Sequence, residues 1–244
     1  MSHRPTYLLI FCLVLLGACE RAKPRNSEVR KDLPIESIPV AARTRFERCL
    51  SPDGGLETAK EGDVLALALC LEEGGVNPNR KDEDGKTALI WAARYNHIEI
   101  AEVLLDQTET DVNSMDLGGM SALMYAVQNN NEAFVRLLLA ADADLNVTDR
   151  EGQSALIIAT RKESRDIVYR LLKEGANVDL QDKDGWTALM IAAAHDRFII
   201  AKALLDYKAN PFLKNNSSLS TFEIAEGNGS AGTVNILEEF LGEE

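Results

Sequence analysis

A chain of 244 residues with 39 acidic against 26 basic side chains, net −13, is a poor match for nucleic acid, whose binding needs basic neutralisation of phosphates. An apolar content of 45% with aromatics at only 6% suits helices rich in alanine and leucine, and the length suits one elongated domain plus a leader. Three histidines and four cysteines leave little for a metal centre, since no histidine pair has ligand spacing and no Cys-x-x-Cys occurs.

The leader comes first. His3 and Arg4 precede an apolar run over 7–16, too short to span a bilayer comfortably as a helix. Small residues end it at Leu16-Gly17-Ala18-Cys19, which reads as a secretory signal over 1–18. Leu-Gly-Ala-Cys further resembles the bacterial lipobox. That resemblance implies acylation of Cys19, which becomes the new amino terminus. The alternatives are an ordinary signal cut near Ala18 or Ala22, with Cys19 incidental, and an uncleaved anchor. Several acyl chains on one cysteine hold a protein firmly at a membrane, whereas one chain binds only marginally. The expected address is therefore the bacterial cell envelope, anchored to the inner or outer membrane and facing the periplasm.

Residues 19–39 read as the acylated cysteine and a flexible tether, polar and interrupted by Pro24, Pro34 and Pro39. A chain of this length spans roughly 25 Å root-mean-square. Arg21, Lys23 and Arg25 either touch anionic lipid heads or are simply solvated.

Residues 40–244 read as one repeat domain. Its first part, 40–81, looks like a degenerate cap. A helix is predicted over 41–50, covering the end of the stack. The run Val64-Leu65-Ala66-Leu67-Ala68-Leu69 alternates like a strand, but its phase with later segments predicts a second helix instead. Cys49 and Cys70 both fall here. An envelope compartment permits a disulfide between them, closing a loop worth roughly 3 kcal/mol in the chain-entropy model. The alternative is two small buried residues.

The organising stretch follows. Gly85-Lys86-Thr87-Ala88-Leu89-Ile90-Trp91-Ala92 returns at Gly119, Gly152 and Gly185, in steps of 34, 33 and 33 residues. A worn fifth copy begins at Ser218. A fixed period of this length means a solenoid of stacked units, here 82–115, 116–148, 149–181 and 182–214. Within each unit the Gly permits a tight turn with positive φ. Thr87, Ser121, Ser154, Thr187 and Ser220 are placed as N-caps. Ala-Leu-x-x-Ala makes a narrow first helix, and a break follows at Asn96 and Asn130, residues that tolerate left-handed backbone. The second helix carries apolar residues at helical spacing: Ile100, Leu104 and Leu105; Phe134 and Leu138; Ile167, Leu171 and Leu172; Ile200, Leu204 and Leu205. An extended link such as Ala176-Asn177-Val178-Asp179 closes the unit. One helix pair cannot bury its apolar face alone, so stability belongs to the interfaces between units. Residues 215–244 read as the closing cap, with Val234, Ile236, Leu237 and Phe240 on its last apolar face.

These units resemble the ankyrin repeat family. The family pattern runs Asp-x-x-Gly-x-Thr-Pro-Leu-His-x-Ala-Ala and then continues into a second helix. Asp82, Asp116, Asp149 and Asp182 stand three residues before their glycines, as it requires. The resemblance covers about residues 50–244 and implies an all-α solenoid of helix-turn-helix units with short β-hairpin fingers. Two departures are systematic. Alanine replaces proline at 88, 122, 155 and 188, and Ile or Met replaces histidine at 90, 124, 157 and 190. Apolar contact is expected where the family uses histidine hydrogen bonds. Asp142 also sits where glycine is expected.

No catalytic constellation emerges. There is no phosphate-binding glycine loop and no Gly-x-Ser-x-Gly elbow. Acid pairs such as Asp82/Asp84 and Asp182/Asp184 recur with the period, which makes them turn residues first. No enzyme, cofactor, metal or small-molecule substrate is expected. The resemblance implies a protein partner on the concave side, met by the finger positions Lys86, Met120, Gln153, Trp186 and Leu219. The helix positions beside them are Arg94 and Tyr95, Gln128 and Asn129, Arg161 and Lys162, and His195. Trp186 is either such a contact or packs on its neighbouring finger, while Trp91 aligns with core positions. The acidic balance favours a basic partner or serves solubility alone. The expected function is a membrane-tethered protein-binding module. It could serve as an immunity protein that inhibits a toxic effector enzyme, or as an accessory to envelope oxidative-stress protection. An enzyme with an unrecognised site is the reading from another class.

Overall fold

The computed structural model describes Ser51, residues 53–72 and residues 76–242. The leader, Cys19, the tether, the helix expected over 41–50 and Cys49 lie outside the described residues.

Twelve helices form among the described residues, in six antiparallel pairs. They are α1 (Gly54–Glu61), α2 (Val64–Glu72), α3 (Ala88–Tyr95), α4 (Ile98–Leu105), α5 (Ala122–Gln128) and α6 (Glu132–Ala140). Then come α7 (Ala155–Arg161), α8 (Arg165–Lys173), α9 (Ala188–Ala194), α10 (Phe198–Asp206), α11 (Thr221–Gly227) and α12 (Ala231–Gly242). The odd-numbered helices pack side by side in one layer from α1 to α11, and the even-numbered helices back them in a second. The chain is therefore an all-α solenoid, with isolated antiparallel bridges at Met115–Ser121, Thr148–Ser154 and Lys214–Ser220 marking the fingers.

Each helix start follows from its cap. Thr87, Ser121, Ser154, Thr187 and Ser220 all accept from the N–H three residues on, at 3.2–3.4 Å. Ser220 adds a full capping box with Glu223. The break between paired helices falls on a left-handed residue in every unit: Gly62, Asn96, Asn130, Glu163, Asp196 and Gly229. The stop after the second helix is likewise left-handed at Asp142, Gly175 and Lys208, so Asp142 does the glycine's work.

Packing then follows from the small first helix. Ala88, Ala92 and Ala93, with their counterparts in later units, are buried and let successive first helices approach closely. Ile90, Met124, Ile157 and Met190 are buried in one continuous core, which puts apolar contact where the family carries histidine. Phe134, Leu89, Leu123, Leu138 and Leu156 are among the largest fully buried side chains.

Helix α2 takes up the run 64–72 as the phase predicts. Helix α1 has no counterpart in the sequence reading. It occupies the first-helix place one period before α3, with Gly55 where the later units have leucine. A Cβ on Gly55 would meet Val76 Cγ1 at 2.4 Å; the missing side chain is the room that Val76 fills. Cys70 on α2 is fully buried and disulfide-bonded.

Candidate protein-binding face

The fingers are built from one repeated carboxylate. Asp82 Oδ1 accepts from the Asp84 and Lys86 N–H groups at 3.0 and 2.9 Å. Asp116, Asp149 and Asp182 repeat this on their own fingers. The acid pairs are thus half turn-maker and half exposed neighbour. In three of the four the second oxygen reaches the first helix of the same or the preceding unit. Asp82 Oδ2 accepts from the Trp91 indole N–H at 2.7 Å, Asp116 Oδ2 from the Tyr125 hydroxyl at 2.8 Å and Asp182 Oδ2 from Arg161 at 2.7 Å.

Neighbouring fingers are stitched through backbone. Leu117 N–H donates to Asp84 C=O at 2.8 Å, Arg150 to Gly118 at 2.8 Å, Lys183 to Glu151 at 2.9 Å and Asn216 to Asp184 at 3.0 Å. Gly152 shows why its position needs glycine. Its φ is +75°, and a Cβ there would meet the Lys183 backbone nitrogen at 2.9 Å. A second ladder runs along the links. Asn79, Asn113, Asn146 and Asp179 accept from the N–H of Asp111, Asp144, Asn177 and Asn210 at 2.7–2.9 Å. Its signal was an Asn or Asp recurring with the period.

The electrostatics of these carboxylates follow from those bonds. Burial by itself pushes the Asp82 carboxyl up. Hydrogen bonds from the Lys86 N–H, the Trp91 indole and the Asp84 N–H, with the Lys60 charge, together hold it below the ordinary 3.8. Asp116 is lowered from 3.8 in the same way: against its burial act the Tyr125 hydroxyl, the Met120 and Gly118 N–H groups and the Lys86 charge. Its partner Tyr125 is pushed up to about 12 by burial and by the hydrogen bond and charge of Asp116.

The predicted contact residues divide into two groups. Lys86 is buried, because its ammonium sits 3.2 Å from Asp84 and 3.4 Å from Asp116, bridging two fingers. Met120, Gln153 and Trp186 are half-buried, and Met120 and Trp186 pack on the core. Asn129 is exposed but its amide donates to the Ala93 and Arg94 carbonyls at 2.9 and 3.0 Å, closing the preceding unit's first helix. The open positions are Arg94, Tyr95, Gln128, Arg161, Lys162, His195 and, at a finger, Leu219.

Around Trp91 these positions form a cluster that the sequence did not announce. Trp91 is 7% exposed. Tyr95, 49% exposed, stacks on it with centroids 5.3 Å apart and planes at 16°. Lys60 lies over the Trp91 ring at 4.3 Å, and the Arg94 guanidinium sits 5.3 Å from Trp91 and 5.8 Å from Tyr125. Beside them, a cleft of about 580 Å³ is lined by Leu56, Lys60, Asp82, Trp91 and other charged residues. Among the described residues, no group of three or more His, Cys, Asp or Glu could hold a metal ion.

Comparison with known proteins agrees with this geometry. A family model described as ankyrin repeats in three copies matches residues 57–149 and 123–215. The 26S proteasome non-ATPase regulatory subunit 10 of Dictyostelium discoideum is 37% identical over 87 residues, 36% of this chain and 38% of that protein. The putative ankyrin repeat protein YahD of Escherichia coli is 30% identical over 90 residues, 37% of this chain and 44% of that one. The chain thus spans well under half the length of these curated relatives. Among solved structures, an ankyrin repeat domain from Acinetobacter baumannii AYE superposes with a TM-score of 0.73 at 28% identity, covering 78% of this chain and 98% of that one. The ankyrin repeat protein EF0377 gives 0.72 at 29% identity over the same shares. Repeats of this kind are scaffolds for protein–protein contact, and the matched model extends over more than half of the sequence: the chain belongs to the ankyrin repeat family.

Proposed function

We propose that this protein is a non-catalytic, lipid-anchored ankyrin-repeat module that binds another protein in the bacterial cell envelope through its concave face. The observation that carries the binding half is the row of open side chains at the ends of α3, α5, α7 and α9. They stand on first helices whose backbone is fixed by finger stitching and a continuous core. Side chains held on rigid elements lose little freedom when a partner arrives. Tyr95, half exposed and stacked on Trp91, is the natural aromatic anchor.

The address rests on the lipobox-like Leu16-Gly17-Ala18-Cys19. A buried, oxidised Cys70 fits an oxidising compartment, and Cys49 is its proposed partner. Within this reading the concrete role is inhibition of an effector enzyme or support of an oxidative-stress enzyme.

Capture from envelope extract tests the binding half, comparing wild type with Tyr95→Ala/Gln128→Ala. The double variant should lose the partner that wild type retains; equal recovery removes the concave contact. Intact mass tests the address. Residues 1–18 should be absent, with acyl groups on Cys19. An unmodified Cys19 removes the anchor.

A further inference from the structure

The concave helix ends and the whole chain carry opposite charge. The sequence stands at −13, and that number alone points to a basic partner. Yet the residues ending the first helices of the four regular units, at 94–95, 128–129, 161–162 and 194–195, include three cations and no carboxylate. The two acids that follow this strip are engaged elsewhere. Glu163 pairs with Arg165 at 3.1 Å and Arg197 at 3.7 Å, and Asp196 accepts from the Thr233 N–H at 2.8 Å.

The cations differ in how far they are neutralised. Arg161 pairs with the buried Asp182 at 2.7 Å. Arg94 and Lys162 have no described carboxylate within 4.0 Å. Arg94 is instead positioned by the faces of Trp91 and Tyr125. Ring faces orient a guanidinium without cancelling its charge, and beyond the donor that Arg94 turns to the Tyr125 hydroxyl, its planar fork keeps further donors for a carboxylate.

We propose that this strip receives an acidic, extended segment of the protein partner, with carboxylates on Arg94 and Lys162 and an apolar side chain against Tyr95. The proposal rests on the concave face being the docking face. Its spacing can be estimated. Packed helices lie about 10 Å apart, so Arg94 and Lys162, two units apart, are separated by roughly 20 Å. An extended chain covers that in about six residues. The fingers carry the exposed carboxylates Asp84, Glu151 and Asp184. A narrow acidic segment avoids them, whereas a broad polyanion such as nucleic acid meets them and the field of the whole chain.

Fluorescence anisotropy on the full chain tests this with three labelled peptides. One has two glutamates six residues apart with a tyrosine between them, one has lysines in their place, and one has glutamines. The glutamate peptide should bind about tenfold or more tighter than the other two, and added salt should weaken it. Arg94→Gln/Lys162→Gln should bring it down to the glutamine level while the helical circular-dichroism spectrum is retained. Equal or tighter binding of the lysine peptide overturns the proposal. So does an unaffected double variant, no binding of the glutamate peptide, or tighter binding of a single-stranded oligothymidylate. Tyr95→Ala separates the two readings. If lysine-peptide binding is lost in Tyr95→Ala, the concave face stands and the acidic partner falls. If glutamate-peptide binding is untouched both by Tyr95→Ala and by Arg94→Gln/Lys162→Gln, the concave face itself falls.

Discussion

The four regular units and the units that flank them make the same turns from different residues. In the regular fingers an Asp closes the loop and a Gly reverses it. In the fifth finger Asn215 closes it, accepting from Ser217 and Leu219 at 3.0 Å each, and Ser218 takes the reversal at φ +64°. In the first unit Gly62 holds the left-handed place that Asn96 holds one period on, and Asp53 stands at the cap position without making the cap bond. In three of the four regular fingers the aspartate's second oxygen is also used. Asp82, Asp116 and Asp182 use theirs to grip Trp91, Tyr125 and Arg161. Asn215 has an amide nitrogen there. The turn needs one acceptor oxygen. The motif aspartate is needed where a finger must also be fixed to a first helix.

The largest effect should come from emptying the middle of the stack. Leu156 is 1% exposed on α7, between α5 and α9. Leu156→Ala should lower unfolding stability by about 2–5 kcal/mol in denaturant titration. An unchanged midpoint would mean that the units are not held by shared packing. Next come two glycines that share positive φ and differ in surroundings. Gly152 has the next finger's backbone at 2.9 Å, and Gly175 has nothing within 4 Å. Gly175→Ala should cost only the left-handed penalty of about 1–2 kcal/mol. Gly152→Ala should cost about 1–3 kcal/mol more from the forced shift of its neighbour. Equal costs would show that finger stitching carries no weight.

The aspartate comparison predicts a pH signature. Asp82 and Asp116 both have folded values below 3.8. Their contribution is therefore complete above that ordinary value, and it is lost as pH falls below it through the lowered folded values. Asp116→Asn keeps the turn, as Asn215 demonstrates, but removes the Lys86 pair and the Tyr125 acceptor. It should cost about 1.5–3 kcal/mol at neutral pH and flatten the acid side of the stability profile. The Tyr125 value should fall part-way back from about 12 towards 10, burial remaining. Ultraviolet titration would read that shift, and no movement would break the assignment of the pair.

Periodicity made most of the fold legible. The glycine steps placed the fingers, the Ser and Thr positions placed the caps, and the second helices followed from their apolar spacing. Helix α1 stayed hidden because the periodic leucine is Gly55 and two glycines open the helix, so neither propensity nor pattern marked it. The candidate face was legible as a set of positions and misleading as a surface. Lys86 is polar and adjacent to a turn glycine, which reads as exposed, yet two carboxylates on neighbouring fingers draw it in. Net charge cannot show this distribution. It sums over all faces, while the strip from Arg94 to His195 carries three cations, of which Asp182 pairs with Arg161 and the neighbouring Glu163 and Asp196 are bonded to other residues.

The first unit offers the finest test of the comparison. If Val76 replaces the missing leucine side chain, the two positions are coupled. Gly55→Ala gives the helix up to about 1 kcal/mol in propensity but drives a Cβ to 2.4 Å from Val76 Cγ1. Valine is stiff about χ1 and cannot swing clear at no cost. The single variant should therefore come out about 1 kcal/mol less stable overall. Val76→Ala alone loses packing against α1. Combined, the two changes return a methyl group to the space just vacated, and the double variant should be more stable than the sum of the single effects by about 1 kcal/mol. Strict additivity would mean that Gly55 is there for the backbone alone. The first unit would then owe its shape to its contact with α3 and not to Val76 taking the place of the leucine.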